Sequence, residues 1–345
     1  MSPKSSLLLM LLGTTVLTGF LVVPPFTSVT YRATNPTRHY LTLAGARSVE
    51  GGSTHGSTPT SATIQFVGDI MLARNVEQYI ATYGQDYPFA KVGDLLSNND
   101  LLIGNFEGTV RAKQNIEGTN VMYFDTTPDN VSMLAKQGFG LLSLSNNHAD
   151  DFGRDTLVLT RQTILDAGIT PFGDAWESEK FVAHKTINGM NFAFIGYHEF
   201  NEKTDGVIEA IKTEKAAGNF VIVMPHWGVE YKHDPSGSQV FAAHQFIDAG
   251  ADAIIGAHPH IIETVETYKN VPIVYSLGNF LFDQDWSEDT KRGMAVRLTV
   301  ENEKLTLKFE PLYLEKRQMT PATGTKKQEM LDALGVTTGV LELSR

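Results

Sequence analysis

The most chemically informative residues of this chain lie in Gly256-Ala257-His258-Pro259-His260. Two imidazoles stand two positions apart, directly after an apolar run, Ala253-Ile254-Ile255, that reads as a buried strand. Alternate residues on a strand project to one face, so this spacing predicts two rings directed at one cation. Neutral imidazole is the commonest metal ligand among side chains. Other polar clusters also follow apolar runs: Gly68-Asp69-Ile70-Met71, Asn105-Phe106-Glu107-Gly108, Ser145-Asn146-Asn147-His148, His226-Trp227-Gly228-Val229-Glu230-Tyr231 and Gly278-Asn279-Phe280.

Each cluster has an ordinary explanation when taken alone. Asp69 fits a helix N-cap, Asn105 and Asn146-Asn147 fit turns, and His226 fits a hydrogen-bonded core histidine. Together they set carboxylates, carboxamides and imidazoles at successive strand ends. Mixed oxygen and nitrogen donors of this kind suit hydrolytic Mn, Fe or Zn centres, often binuclear. The expected cofactor is therefore one or two divalent metal ions. Such ions acidify a water and polarise an oxyanion.

The elements that position these groups are legible in the periodicity. Strands are expected at 62–67, 101–104, 141–144, 192–196, 220–224, 253–256 and 273–276. Helical spacing covers 73–83, 127–137, 154–167, 204–217 and 238–249, with Pro128 at a tolerated first-turn position. Residues 294–300 and 305–309 read as a closing antiparallel pair. After Thr320 the signal fades to at most a short helix at 328–334 within a C-terminal tail, 321–345. Strands alternating with helices indicate an α/β fold with a parallel or mixed sheet. Open α/β sheets gather ligands beyond the carboxyl ends of their strands, which is where the polar clusters fall.

Size and charge narrow the function. The chain has 345 residues, 42% of them hydrophobic, enough for a substantial core. The formal charge of -11 argues against nucleic-acid binding, which needs a basic face. A polyanionic substrate would need local cations. With no cysteine, disulfides and thiolate sites are excluded. Lys4 precedes an apolar stretch, 7–23, closed by Pro24-Pro25. At 1.5 Å per residue it is roughly 26 Å long, near the ~30 Å hydrocarbon thickness. Bulky Phe20-Leu21-Val22-Val23 gives no small-residue cleavage site, which favours a membrane anchor at 1–25 over a cleaved signal peptide. Residues 26–60 lack sustained periodicity and read as a flexible linker, Gly/Ser/Thr-rich over 44–60, and the folded body is expected over 61–320. Cell-membrane attachment with an extracellular body follows as an expectation; secretion after cleavage is the alternative.

These motifs, in this order, resemble the CapA branch of the calcineurin-like metallophosphoesterase superfamily, which is associated with poly-γ-glutamate capsule biosynthesis in bacteria. The resemblance spans about 61–314. It implies a metallophosphoesterase-like α/β/β/α sandwich with mixed central sheets. By position it implies Asp69, Glu107, Asn147, His226, His258 and His260 as metal ligands, with Asn105 as the rival of Glu107. It gives Asp69 and His148 the catalytic roles, His148 as proton donor. Met71 departs from the pattern, standing where the superfamily has a histidine. The second motif is also altered, with Gly-Asn-Phe-Glu in place of Gly-Asp-x-x-Asp. Asn105, Glu230, Tyr231 and Asn279 are the candidates for the substrate side. The implied partners are an anionic polymer or phosphoester and a capsule synthesis complex. A rival reading is a non-catalytic component that guides the polymer. His198 ends a strand and is a weaker candidate, whereas His184, His233 and His244 need no function. No nucleotide-binding glycine loop and no G-x-S-x-G elbow occurs.

Overall fold

Leu101, Leu102 and Ile103 show how one strand serves two cores. Their side chains alternate, so Leu101 and Ile103 join one apolar cluster and Leu102 another. The same alternation runs through both sheets of the computed structural model, which describes residues 61–111, 122–174, 181–201, 203–302 and 304–344. The apolar segment 7–23, the linker and His55 lie outside the described residues. Among the described residues no helix is long and apolar enough to cross a membrane.

The first sheet is mixed. Its order is Gln318–Pro321, Lys304–Glu315, Arg292–Glu301, Ser61–Ile70, Leu101–Phe106, Phe139–Ser143, Thr170–Phe172. The last four strands run parallel, and Arg292–Glu301 pairs with Ser61–Ile70 antiparallel. Asn279–Leu281 lies parallel to the end of Ser61–Ile70, aligning Asn279 with Asp69. The second sheet runs Val265–Tyr268, Val271–Val274, Ala253–Ile255, Phe220–His226, Met190–His198, Val182–Ile187. Its four central strands are parallel, with an antiparallel hairpin at each edge.

The sheets face each other across Phe66, Ile103 and Phe172 from one side and Phe194, Ile222 and Ile255 from the other. Helices Arg74–Tyr83, Pro128–Lys136 and Arg154–Asp166 cover the outer face of the first sheet through Val76, Val131 and Leu157. Helices Thr204–Ala216 and Gly237–Ala249 cover the second through Ile211 and Phe246. The result is the α/β/β/α sandwich with mixed sheets. Each fully buried Phe, Leu or Ile contributes about 1.5–3 kcal/mol.

Local signals explain several boundaries. Thr127 caps its helix, its side chain accepting from Asn130 N, with Pro128 at the first turn. Ser236 and Gln239 form a reciprocal capping box. The C-terminal segment holds more order than the fading periodicity offers: a helix spans Gly324–Leu334, and Val340–Ser344 pairs antiparallel with Lys304–Glu315.

Close backbone approach fixes the seam between the sheets. A Cβ on Gly196 would lie 2.2 Å from Ser145 Oγ, so only glycine lets the second sheet come this near the Ser145-Asn146 loop. A Cβ on Gly68 would lie 1.8 Å from the Gly278 carbonyl oxygen, beside the Asp69 N–H bond to that oxygen.

Candidate metal centre

The polar strand ends meet at this seam. Asp69 is the penultimate residue of Ser61–Ile70, Asn105 and Glu107 flank the end of the next strand, and Asn147 and His148 follow Phe139–Ser143. From the opposite sheet, His226 ends Phe220–His226, and His258 and His260 follow Ala253–Ile255. Asp69, Glu107, His226, His258 and His260 are all buried.

Asn105 is the hub of the arrangement. Its Nδ2 lies 2.8 Å from Asp69 Oδ1, 3.0 Å from Glu107 Oε1 and 3.2 Å from His226 Nδ1. Asn146 Nδ2 donates to Asn105 Oδ1 at 3.1 Å, which fixes the orientation of the Asn105 amide. His226 Nε2 lies 2.7 Å from Asn147 Oδ1 and 2.9 Å from His258 Nδ1. His260 Nδ1 lies 3.2 Å from Asp69 Oδ2 and 3.1 Å from Asn279 Oδ1. The cluster thus has an imidazole-carboxamide lobe at Asn147, His226 and His258, and a carboxylate lobe at Asp69, Glu107 and His260.

Strand alternation is not what directs the two imidazoles of the His-x-His pair. The strand ends at Ile255, a last bridge joins Ala257 to His226, and His258 and His260 both adopt left-handed backbone, with φ of 101° and 59°. Their ring centroids lie 6.0 Å apart, and each ring turns to a different lobe. Backbone of this kind in non-glycine residues costs about 1–3 kcal/mol and concentrates at functional sites.

Burial sets the electrostatics of the cluster. Burial, then the neighbouring Asp69 carboxylate, raises Glu107 well above the usual carboxylate range. Burial, then the adjacent His258, lowers His226 well below the usual imidazole range. Burial, then His260, lowers His258 to about 3. These two imidazoles are held neutral, the form that ligates metals. Glu107 Oε2 is buried with no hydrogen-bond partner. Among the described residues no lysine or arginine pairs with Asp69 or Glu107. Donor atoms of Asp69, Glu107 and His226 all lie within 4.8 Å of one another. Two buried carboxylates without a compensating cation, one with an orphaned oxygen, suit a divalent ion.

Several residues hold positions that differ from their expected ones. Asp69 caps no helix: the following helix has Ala73 at its N-cap, without a side-chain bond. Asn105 and Asn279, expected on the substrate side, are buried and fully engaged. Asn279 takes His260 at Oδ1 and donates from Nδ2 to Gln284 Oε1 and to the Thr290 carbonyl. Asn105 thus contacts Asp69 and Glu107, and Asn279 contacts His260. Met71 is buried, and its sulfur accepts from Ala73 N at 3.0 Å. Glu230 is exposed and Tyr231 half-exposed at the mouth, the Tyr231 ring 6.1 Å from His260. Burial, then Glu230, raises the Tyr231 phenol.

Asp151 has no role assigned from the sequence, and His198 is only a weaker candidate there. Asp151 Oδ2 lies 3.0 Å from His148 Nδ1, and Phe124 stacks on the His148 ring at 3.8 Å. The i, i+3 spacing of His148 and Asp151 was the available signal. His198 is buried in the second sheet, paired in register with His226, their rings 5.7 Å apart. His184, His233 and His244 instead lie against Glu214, Asp289 and Glu266 away from this cluster.

A family model described as "Bacterial capsule synthesis protein PGA_cap" matches residues 63–284. A Bacillus subtilis protein named PGA biosynthesis protein CapA is 32% identical over 300 residues, covering 81% of this chain and 77% of its own length. A Bacillus anthracis protein named Capsule biosynthesis protein CapA is 30% identical over 287 residues, covering 76% of this chain and 69% of its own length. Among solved structures, TT1561 of Thermus thermophilus aligns over 76% of this chain and 99% of its own, with 9% identity and a TM-score of 0.40.

Proposed function

The chain belongs to the bacterial capsule synthesis protein family, and on that premise we propose that it serves poly-γ-glutamate capsule synthesis through a divalent-metal centre acting on a phosphoester or γ-glutamyl amide bond. The observation that carries the chemical half is the buried Asp69–Glu107 pair, with Glu107 Oε2 orphaned and neutral imidazoles around it. The names of the two Bacillus relatives support the capsule half.

Asp69, Glu107, Asn147, His226, His258 and His260 would hold the ion or ions, of Mn, Fe or Zn type. A cation there supplies Lewis acidity and lowers the pKa of a coordinated water. His148 moves the proton at Nε2, since Asp151 holds Nδ1 and Phe124 fixes the ring. Buried Asn105 and Asn146 keep the carboxylates and His226 in register without reorganisation. Glu230 and Tyr231 line the approach from solvent. In this reading the body lies outside the cytoplasmic membrane, tethered by segment 7–23, and works with other capsule-synthesis components.

Elemental analysis of the purified protein and of a His258→Ala/His260→Ala double variant tests the centre. Turnover on a generic phosphodiester and on poly-γ-glutamate then tests the chemistry. Metal and turnover lost together in the variant support an enzyme. The sulfur of Met71, already engaged by Ala73 N, favours a second reading as a polymer-guiding component. Stoichiometric metal with no turnover on either substrate would select it. Absence of bound metal in the native protein would overturn both metal-based readings.

A further inference from the structure

One buried imidazole stands outside every role assigned above. His198 is 3% exposed, and neither Nδ1 nor Nε2 has a hydrogen-bond partner among the described residues. Buried side-chain nitrogens without partners are rare, and such groups point to something they bind. A neutral imidazole offers one donor and one acceptor, so His198 holds two unspent polar positions.

Its location is set by the fold. The parallel pairing of Met190–His198 with Phe220–His226 puts His198 directly opposite His226. In-register neighbours on parallel strands project to the same side of a sheet. The ring of His198 accordingly stands 5.7 Å from that of His226, at 66° to it. Gly196, where any side chain would collide with Ser145, permits the close approach that puts this strand end at the seam. Phe200 packs edge-on against both His198, at 5.5 Å, and His258, at 4.8 Å. Half of Phe200 is exposed, so its ring roofs the two imidazoles on the solvent side.

His198 does not belong among the metal-holding groups. His258 Nδ1 meets His226 at 2.9 Å and His260 Nδ1 meets Asp69 at 3.2 Å, whereas neither ring nitrogen of His198 reaches a partner among the described residues. His198 stands one strand further out, beside the imidazole-carboxamide lobe. We propose that His198 is a substrate-contacting residue that hydrogen-bonds an oxyanion, phosphate or carboxylate, seated at the His226–His258 lobe. This inference rests on the metal-centre reading, because the seat for the oxyanion is the cation held there. It makes His198 a determinant of which oxyanion the site accepts.

Calorimetry on the full chain tests it. Mn(II) is titrated first, into the native protein and into His198→Phe and His198→Gln. Inorganic phosphate and a γ-glutamyl tripeptide are then titrated separately into each Mn-loaded protein. The expected result is Mn(II) affinity within about twofold across all three proteins. Affinity for one of the two oxyanions falls about tenfold or more in His198→Phe and recovers partly in His198→Gln, which restores a donor. The responding arm identifies the source as phosphoryl or carboxylate. Unchanged oxyanion affinity in His198→Phe, or no affinity for either oxyanion in the native protein, overturns the inference. Loss of Mn(II) binding in a folded His198→Gln also overturns it, by making His198 a metal-holding residue. A native protein that takes up no Mn(II) instead defeats the metal-centre reading on which the inference stands.

Discussion

The two sheets meet at one site with different chemistry. The first sheet brings Asp69, Asn105, Glu107, Asn146 and Asn147, which are oxygen donors and the amides that hold them. The second brings His198, His226, His258 and His260, all imidazoles. On one wall the buried acid Glu107 has raised proton affinity, and on the other the buried imidazoles His226 and His258 have lowered proton affinity. Each wall alone is electrostatically uncomfortable, since burial disfavours the charged form of both. Across the seam they form one mixed oxygen and nitrogen donor set, of the kind that suits borderline divalent ions.

The largest effect should come from displacing the histidine loop of the second wall. Gly256 lies where a Cβ would come within 2.1 Å of the Tyr275 carbonyl oxygen and 2.6 Å of Trp227 Nε1. Gly256→Ala is expected to cost about 3 kcal/mol in urea unfolding and to empty the site of metal, because the His258 loop must shift. Metal retained at full stoichiometry would show that the loop tolerates the strain.

Removing one donor from each wall separates their roles. His226→Ala should weaken metal binding at least about 100-fold, since His226 joins Asn105, Asn147 and His258. Glu107→Gln should weaken it about tenfold while stabilising the metal-free protein by about 1–3 kcal/mol, because an uncompensated buried acid is gone. Metal titration and denaturant unfolding measure both. A Glu107→Gln protein that is less stable without metal would mean that Glu107 is already compensated.

The pH dependence sharpens the contrast further. His258 near 3 and His198 near 4 lie below the ordinary 6.5, so the folded state binds fewer protons than the unfolded. That part of stability is fully present above about pH 6.5 and is lost as pH falls toward 4 and then 3. Glu107 behaves oppositely. Its contribution is present below about 4.5 and lost as pH rises through its raised value. Metal-free protein should therefore show two limbs in unfolding free energy against pH. Mn(II) should abolish the alkaline limb and steepen the acid one, because protons displace metal from imidazole. An unchanged alkaline limb with Mn(II) bound would remove Glu107 from the ligand set.

The smallest effects belong to histidines far from the seam. His184→Ala, His233→Ala and His244→Ala should change stability by less than about 0.5–1 kcal/mol and leave metal content intact, because each sits in a partly exposed carboxylate pair. A drop in metal content in any of them would place a second centre on the surface.

Much of the fold was legible because apolar runs keep their period through both sheets. The long antiparallel pair Arg292–Glu301 with Lys304–Glu315 could be read from residues 294–300 and 305–309 alone. Val340–Ser344 could not, since this edge strand has no buried residue and so little apolar alternation. At the site, Asp69, His226, His258 and His260 stood out by residue type and strand context. The divergence of His258 from His260 did not, because left-handed backbone at both positions cancels the strand rule. Asn105 and Asn279 read as substrate-side candidates, and only their neighbours reveal them as buried among the cluster's side chains.

Donor types, their order along the chain and their placement at strand ends follow from periodicity and residue chemistry, which are local properties. Tertiary structure decided which donors share a lobe, that Asp151 holds His148, and that His198 faces His226. Those relations arise where two sheets pack and glycines permit close approach, and distance along the chain carries no record of them.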